Sequence, residues 1–445
     1  MNRRNFAKTL SAAGLFQIVP GYVVGANGQT PPSGKLNIAG IGIGGQGAGD
    51  LSNVGGENIV ALCDVDHAYA AGTIKKYPEA KLYTDYRVML EKEKGIDAVM
   101  IATPDHTHAV IAAAAMRAGK HVYCQKPLTH DIHEARTLAR IAKETKVSTQ
   151  MGIQHHSGGG IRLIREWIEA GVIGEVREVV AWCTLTYHPA GHTWWSPKLL
   201  RKPADTPAPP AGLDWDVWIG PAAMRPYHPV YHPKTWRAWW DFGSGMMGDR
   251  GVHTLDSVVW SLKLGLPESI DATSMDMNPD SHPLASVVTF QFPARDTLPP
   301  VKVTWYEGMR PPRAPELEDG RGMGDPQGGI LFYGSKGTIM SDYYATSPRL
   351  IPESRMKEFA PNQPPKTIPR VAGGHYQDWL RGCKGEGTPG ANFEYGAHLT
   401  EICQLGNIAR RVDTRILWDA VNMRVTNHEA ANQYIKKPYR DGWSL

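Results

Sequence analysis

The chain has 445 residues, of which 42% are hydrophobic and 21% are charged, and this composition is typical of an ordinary globular protein. A chain of this length rarely has one compact core, so we expect two domains. The formal net charge of +4 is small for the length, and no dense run of lysine and arginine follows the first few residues. Nucleic acid is therefore not expected as a partner.

The N-terminal residues have the layout of an export signal. Arg3-Arg4 lie in a charged start that precedes a mildly apolar stretch over 10–24, and this order is typical of a secretory signal. The arginine pair resembles a twin-arginine signal, although a basic disordered tail would have the same composition. The apolar stretch is too short for a stable membrane span. We therefore assign residues 1–33 to an export signal and linker and expect a periplasmic or otherwise exported protein.

A dinucleotide-binding loop follows the first predicted strand. Residues 35–43 are largely apolar and lead into the pattern Gly-x-Gly-x-x-Gly at 42–47, which between a strand and a helix is a fingerprint of NAD-type cofactors. Its glycines allow a tight turn, close approach of the backbone to a pyrophosphate and close packing of the helix, whose N-terminus presents free N–H groups to the phosphates. The loop residues expected to bind the cofactor are Gly42, Gly44, Gly45, Gln46 and Gly47.

Asp64 indicates which dinucleotide is bound. It follows a second predicted strand over 57–63 and lies 22 residues after Gly42, the spacing at which a carboxylate accepts hydrogen bonds from the adenosine ribose. The same charge would repel a 2′-phosphate, so NAD is favoured over NADP. The alternative is that Asp64 only caps the next helix.

Strands and helices continue to alternate after Asp64. Further apolar strands are predicted over 97–103, 121–124 and 147–151, and this alternation indicates a doubly wound parallel sheet over 34–155. Ligands of such sheets bind at the carboxyl ends of the strands. The additional residues expected near the cofactor are Thr103, Asp105, His108, Gln125, Lys126 and Gln154.

The rest of the chain, 156–445, is predicted to form a second domain of α+β type. Apolar strands over 285–292, 301–306, 329–333 and 337–342 indicate a large, mostly antiparallel sheet. The expected fold class is therefore α/β, with a Rossmann domain followed by an α+β domain whose last helices can pack back on the first domain.

Aromatic residues are concentrated in the first part of this second domain. Eight of the 14 tryptophans lie between 182 and 240, among histidines, an arginine and prolines. Core packing explains many of them, but flat rings among polar donors also suit the C–H faces and hydroxyl groups of a sugar. The side chains considered as substrate contacts are His155, Tyr187, Trp194, Arg237 and Trp239. The histidines form no metal signature, so no metal is expected.

Several motifs in a fixed order give the chain a family resemblance. The glycine loop is followed by Thr-Pro-Asp-x-x-His at 103–108, Cys-Gln-Lys-Pro-Leu at 124–128, Met-Gly-Ile-Gln-His-His at 151–156 and Gly-Asp-Arg-Gly-Val-His at 248–253. In these motifs the chain resembles the Gfo/Idh/MocA oxidoreductases, the family of glucose-fructose oxidoreductase and inositol dehydrogenase. One departure is Gln125, where the family usually has glutamate. Loss of this carboxylate could change how the neighbouring lysine is positioned.

The resemblance implies a catalytic set of Lys126, Asp249 and His253. Oxidation of a secondary alcohol removes its hydroxyl proton, and an imidazole such as that of His253 can take this proton near neutral pH. The Lys126 ammonium can stabilise the developing alkoxide and relay the proton. Asp249, one helical turn before His253, can orient the substrate hydroxyls or the imidazole. The resemblance also implies that the second domain binds substrate and packs against another subunit, so a homo-oligomer, dimer or tetramer, is expected.

The leading functional hypothesis is an exported NAD-dependent oxidoreductase. It would transfer hydride between a secondary alcohol of a sugar, glycoside or cyclic polyol and a tightly bound cofactor. One alternative is a glycoside hydrolase that uses the same cofactor transiently, by oxidation, elimination, water addition and reduction. Export favours this alternative somewhat, because the periplasm lacks a free NAD pool. A non-catalytic sugar or nucleotide sensor is a third hypothesis, against which Lys126, Asp249 and His253 argue.

Overall fold

The computed structural model describes residues 34–188 and 195–445. The predicted export segment and Trp194 lie outside the described residues. Within them, an N-terminal unit with a parallel sheet precedes a second unit with a larger, mostly antiparallel sheet. This arrangement confirms the predicted fold class.

The first sheet contains six parallel strands. They are β1 Asn37–Ile41, β2 Asn58–Cys63, β3 Lys81–Tyr83, β4 Ala98–Ile101, β5 His121–Cys124 and β6 Thr149–Met151. Their order in the sheet is β3-β2-β1-β4-β5-β6, so the winding reverses between β1 and β4, which is where such sheets bind ligands. Sequence reasoning missed β3, because its three residues are largely exposed and show no apolar pattern.

Five helices follow strands of this sheet. They are α1 Gly45–Asn53, α2 Ala71–Lys76, α3 Tyr86–Lys92, α4 Asp105–Arg117 and α5 Ile132–Thr145. Successive residues of β1 belong to two separate hydrophobic clusters, Ile38 with Leu51 of α1 and Ala39 with Ile111 of α4. Both faces of the sheet are therefore covered, as the alternating pattern predicts.

The second sheet contains nine strands. They are β7 Val176–Cys183, β8 Ser269–Met275, β9 Ala285–Phe292, β10 Val301–Glu307, β11 Gly328–Gly334, β12 Gly337–Ser341, β13 Arg349–Ile351, β14 Ile416–Asp419 and β15 Arg424–Val425. Their order is β13-β12-β11-β7-β10-β9-β8-β14-β15, and only β7 and β10 pair in parallel. The four predicted strands correspond to β9–β12. Sequence reasoning missed the central β7, whose apolar pattern is interrupted by Arg177 and Glu178.

The described residues of the second unit form six α-helices, some of which also contact the first unit. They are α6 Gly159–Glu169, α7 Trp215–Ile219, α8 Val252–Ser261, α9 Glu353–Phe359, α10 Gly374–Cys383 and α11 Phe393–Val412. Arg136 of α5 and Glu401 of α11 form an ion pair of 2.6 Å, and Trp379 of α10 packs in the cluster of Ile38. Within 34–188 and 195–445, no helix is long and apolar enough to cross a bilayer.

Candidate active site

A cleft with a cavity volume of about 390 Å³ runs along the carboxyl ends of the parallel strands. The loops after β1 to β5 line one side of it, and residues between 195 and 249, together with Trp443, line the other. A cleft at this edge of a doubly wound sheet is the usual position for a dinucleotide and its substrate.

The glycine loop has the close contacts that a pyrophosphate site requires. Gly42 has φ +73°, and a Cβ atom here would lie 2.7 Å from the backbone nitrogen of Thr103. A Cβ atom on Gly47 would lie 1.9 Å from the carbonyl oxygen of Gly42, so only glycine fits at either position. No side chain caps the N-terminus of α1, and Gly44, Gly45 and Gln46 line the cleft. These residues fit the phosphates of a dinucleotide.

Asp64 is tied to this loop. Its Oδ2 accepts hydrogen bonds from the backbone N–H groups of Ile43 (2.9 Å) and Gly44 (3.2 Å). Burial raises its pKa, while these backbone hydrogen bonds oppose that rise. Asp64 does not cap α2, which begins at Ala71 after Ala70. The carboxylate lines the cleft directly beside the glycine loop, where ribose binding would require it.

At the β5 end of the cleft, Lys126 and Asp249 form an ion pair. Lys126 lies two residues after β5, and Asp249 lies in a π-helical turn, Met247–Gly251, that leads into α8. Nζ of Lys126 donates to Oδ1 of Asp249, and the hydroxyl of Tyr187 donates to Oδ2. Each carboxylate oxygen therefore has its own donor, which fixes the orientation of both groups. Single π-helical turns occur frequently at functional sites.

The charges around Asp249 keep it ionised. Burial by itself would raise its pKa, but the nearby cations Lys126, Arg250 and Arg237 more than offset this effect and hold the pKa below its ordinary value. Burial raises the pKa of Tyr187 well above its ordinary value, so the phenol remains a donor. The cluster is thus a carboxylate held by one cation and one hydroxyl.

His253 lies one helical turn after Asp249, on α8. Its ring packs edge-on against His155 and Tyr344, at centroid distances of 6.1 and 5.2 Å. Burial, with a smaller contribution from the charge of Lys126, lowers the pKa of His253 well below its ordinary value. The imidazole is therefore neutral and able to accept a proton. His253, His155 and Tyr187 are not among the described residues that line the cleft.

Gln125, the departure from the family pattern, contacts a carboxylate that sequence reasoning missed. Its Nε2 donates to Oδ2 of Asp50 at 2.8 Å. The other oxygen of Asp50 accepts from Gln46 (2.7 Å) and from the hydroxyl of Tyr376 (2.6 Å). Oε1 of Gln125 accepts from the backbone N–H of Lys126 at 3.3 Å. The carboxyl group missing from the turn after β5 is therefore present next to it, on α1.

Three predicted cofactor residues after β4 lie at this edge of the sheet in different roles. Thr103 and Asp105 line the cleft, and Oδ2 of Asp105 accepts from the N–H of Ser244 at 2.9 Å. Burial raises the pKa of Asp105 to about 7. His108 is buried, and its ring nitrogens lie 2.8 Å from the carbonyl oxygens of Pro127 and Thr103. His108 therefore supports the turn after β5 through its contact with Pro127, and it does not line the cleft.

The other predicted residues separate into cleft and core positions. Arg237 lines the cleft, and its guanidinium lies 5.2 Å from the ring centroid of Trp195. Gln154 donates to a tyrosine hydroxyl at 3.1 Å and is not among the described cleft residues. Trp239 is fully buried, and its Nε1 donates to the carbonyl of Val230 at 3.0 Å. The structure therefore corrects the substrate assignment of Trp239, whose ring serves core packing.

We call three aromatic residues of the cleft the aromatic wall: Tyr86 and Trp443, which pack together at its opposite end, and Trp218, which lies beside His106 of α4. Tyr86 starts α3 just after β3, so the rule that ligands bind at strand ends applies to it only once β3 is known. Trp218 belongs to the tryptophan-rich segment but has no pattern that singles it out. No local motif marks Trp443, which lies more than 200 residues from the other two.

Comparison with known families matches both units. The oxidoreductase-family NAD-binding Rossmann fold matches residues 35–153, and the oxidoreductase-family C-terminal alpha/beta domain matches residues 158–292. Inositol 2-dehydrogenase of Salmonella typhimurium is 34% identical over 145 residues, which are 32% of this chain and 43% of that protein. Levoglucosan dehydrogenase of Pseudarthrobacter phenanthrenivorans is 29% identical over 115 residues, which are 26% of this chain and 29% of that protein. The chain thus spans less than half the length of these curated relatives.

Solved structures share the fold over most of their length. The WlbA dehydrogenase from Bordetella pertussis, in complex with NADH and UDP-GlcNAcA, has a TM-score of 0.60 at 16% identity and covers 86% of this chain and 99% of that one. An inositol dehydrogenase homolog from Azotobacter vinelandii, complexed with NADH and myo-inositol, has a TM-score of 0.57 at 18% identity. The match covers 86% of this chain and 98% of that one. With both family models matched in order, the chain belongs to the Gfo/Idh/MocA oxidoreductase family.

Proposed function

We propose that this chain is an NAD-dependent oxidoreductase acting on a secondary alcohol of a sugar, glycoside or cyclic polyol. The observation that carries the proposal is the ion pair of Lys126 and Asp249, which lies at one end of a cleft lined by a dinucleotide-binding glycine loop. A fixed cation at this end of the cleft is suited to stabilise charge that develops on a substrate oxygen.

The residues divide the work of the reaction between them. A bound nicotinamide would supply the two-electron redox chemistry. The ammonium of Lys126 stabilises the alkoxide that forms as the alcohol loses its proton. Asp249, fixed by Tyr187 at Oδ2, holds that ammonium in place through Oδ1, so little reorganisation is needed. Because His253 does not line the cleft, the alcohol proton reaches its neutral imidazole through the relay of Lys126 and returns by the same route in the reverse direction.

The side chains near Arg237 support a carbohydrate or polyol as substrate. Trp195 and Trp236 line the cleft with Arg237, whose guanidinium lies 5.2 and 4.2 Å from their ring centroids. Flat apolar faces beside a hydrogen-bond donor suit the C–H faces and hydroxyl groups of a polyhydroxylated ring. Two curated relatives are by name inositol and levoglucosan dehydrogenases, which supports the same class.

The direct test begins with the cofactor. The purified full chain is denatured, and any released dinucleotide is identified. Protein loaded with NAD is then mixed with inositols, free sugars and glycosides while the absorbance of reduced nicotinamide is followed. We expect reduction with at least one of these compounds and no reduction by the Lys126→Met variant, which still binds NAD. A chain that binds neither NAD nor NADH would overturn the proposal.

A redox-neutral glycoside hydrolase is the second candidate, and one observation favours it. Trp443 and α7 cover the β3 end of the cleft, which favours a cofactor that stays bound and is regenerated in place. NAD-loaded protein is incubated with nitrophenyl glycosides and no added cofactor. Steady release of nitrophenol at a constant redox state of the cofactor would establish the hydrolase, whereas reduced nicotinamide that accumulates without nitrophenol would establish the dehydrogenase.

Export and self-association complete the proposal. We expect residues 1–33, fused to a reporter, to direct it out of the cytoplasm, and Arg3→Lys with Arg4→Lys to retain it. Equal export of both fusions would contradict a twin-arginine signal. We also expect a homo-oligomer formed through the second sheet, and sedimentation of the chain as a monomer at every concentration would contradict it.

A further inference from the structure

The cleft has a second end, at which neither motif nor predicted residue lies. The strand order puts β3 and β5 on opposite sides of β1, so the loops after them are at opposite ends of the cleft. Lys126 follows β5, whereas Tyr86 of the aromatic wall follows β3. Because neighbouring strands are about 4.8 Å apart, the two strands are separated by roughly 19 Å. The β3 end is therefore too distant from the ion pair to contact a small substrate.

Trp443 is held over this end by its neighbours. Its ring centroid lies 6.4 Å from that of Tyr86, and the guanidinium of Arg87 lies 4.5 Å from its ring. The tryptophan is half-buried, and it lines the cleft together with Thr84 and Val65. A largely apolar slot with aromatic sides thus lies just beyond Asp64, the residue that follows β2.

Arg440 fastens the C-terminal segment, 436–445, to α7. Its Nε donates to the carbonyl of Gly220 at 2.6 Å, and its two terminal nitrogens donate to the carboxylate (2.8 Å) and carbonyl (2.7 Å) of Asp216. The N–H of Arg440 also donates to the carbonyl of Pro221 at 3.1 Å. These contacts are outside the cleft, so they hold the segment without touching a ligand.

Helix α7 is in turn docked on the Rossmann unit. The N–H of Asp214 donates to the carbonyl of Val65 at 3.0 Å, and Nε2 of His106 lies 3.0 Å from the carbonyl oxygen of Trp218. The ring of Trp218 stacks on Trp215 at 4.5 Å and faces the cleft. The C-terminal segment and α7 together therefore cover the cleft from Tyr86 after β3 to His106 of α4.

We propose that the aromatic wall binds the adenine of NAD and that the C-terminal segment must lift before the cofactor can leave. The inference rests on the proposed function, because it assumes that the cleft holds a dinucleotide. Asp64, the predicted ribose ligand, follows β2, which is the neighbour of β3, so a base attached to that ribose lies against Tyr86 and Trp443. Flat heterocycles stack on such rings, and removal of one stacking ring costs a base roughly 5- to 150-fold in affinity.

The first measurement is the dissociation of NADH. Full-length protein is loaded with NADH and chased with excess NAD, and the NADH still bound is counted after rapid desalting. We expect Trp443→Ala to release NADH roughly 5- to 150-fold faster than the wild type and Trp443→Phe to release it at nearly the wild-type rate. Trp260→Ala is the matched control, since Trp260 is also half-buried and lies 4.4 Å from a guanidinium, that of Arg165, but is outside the cleft.

The second measurement separates adenine stacking from a general loosening. Binding of ADP-ribose and of nicotinamide mononucleotide is measured by calorimetry. We expect Trp443→Ala to weaken the binding of ADP-ribose and to leave the affinity for the mononucleotide unchanged. Arg440→Met, which removes the fastening and no cleft residue, is expected to speed NADH release as well. This variant keeps the test valid if Trp443→Ala does not fold.

The outcomes distinguish the two proposals. A wild-type chain that binds no NADH defeats the proposed function. A wild-type chain that binds NADH, with Trp443→Ala and Arg440→Met releasing it at the wild-type rate, defeats only the inference. An equal loss of affinity for ADP-ribose and for the mononucleotide would also overturn the inference, because stacking on adenine cannot affect a ligand that has no adenine.

Discussion

The two ends of the cleft are built from different kinds of side chain. At the β5 end, Lys126, Asp249 and Tyr187 are joined by charge-assisted hydrogen bonds, which fix direction as well as distance. At the β3 end, the half-buried ring of Trp443 lines the cleft beside the buried ring of Tyr86. Chemistry requires atoms in fixed positions, whereas retention of a ligand requires contact area. Substitutions at the β5 end should therefore change turnover without changing the amount of bound cofactor. Substitutions at the β3 end should change cofactor binding and leave the chemical step unchanged.

The largest effect is expected for Lys126→Met. The variant removes the cation that stabilises the developing alkoxide, and loss of one such donor costs roughly 10²- to 10³-fold in kcat. The dinucleotide should remain bound, because the glycine loop and the aromatic wall are untouched. Steady-state rates and cofactor content are measured on the same protein. Lys143→Met, at an exposed lysine of α5, is the control, and equal rates for both variants would remove Lys126 from the site.

An intermediate effect is expected where Gln125 meets Asp50. These side chains are only 5% and 1% exposed, so Gln125→Glu would bury two carboxylates against each other and destabilise the fold by about 1–3 kcal/mol. Adding Asp50→Asn to this variant exchanges the positions of the amide and the carboxylate, and it should restore most of the lost free energy of unfolding. Denaturant unfolding of the four proteins gives the coupling energy.

The same exchange tests whether the position of this carboxyl group matters for function. If the double variant recovers both stability and turnover, a carboxylate on either side of the contact is sufficient. Additive destabilisation, with no recovery in the double variant, would show that the hydrogen bond between Gln125 and Asp50 has no special role.

The smallest effect concerns the protonation of His253. Its pKa lies well below its ordinary value, first because of burial and second because of the charge of Lys126. The base form is present above the folded-state pKa, so the acid limb of kcat/KM for the wild type should lie below pH 6.5, the ordinary histidine value. Removing the cation in Lys126→Met should raise the pKa. Titration by nitrogen NMR, with His253→Gln for assignment, measures it, and an unchanged value would mean that the two groups do not interact.

Sequence reasoning reached the charged end of the cleft far more completely than the aromatic end. The glycine loop, Asp64 and Lys126 lie at fixed spacings after strands, because a parallel sheet places its ligands at strand ends. Asp249 has a comparable motif of its own. Spacing after strands was enough to predict the glycine loop and Asp64, whereas Lys126 and Asp249 were assigned through the family resemblance, and all of them line one cleft.

The features that sequence reasoning missed depend on contacts between distant segments. Asp50 was overlooked because its partner Gln125 lies 75 residues away in the sequence. Trp239 and Trp218 lie in one tryptophan-rich segment, yet Trp239 is buried and Trp218 lines the cleft. Composition records how many rings a segment has, whereas the packing of α7 and segment 436–445 decides which rings face a ligand.

The position of Trp443 has a consequence for the order of events during synthesis. It is incorporated some 400 positions after Gly42, so the glycine loop leaves the ribosome long before the residues that complete the aromatic wall are synthesised. If segment 436–445 retains the cofactor as proposed, a chain can hold the dinucleotide firmly only once that segment has docked. Firm retention of the cofactor would then report that the chain has been synthesised at least to that segment and folded around it.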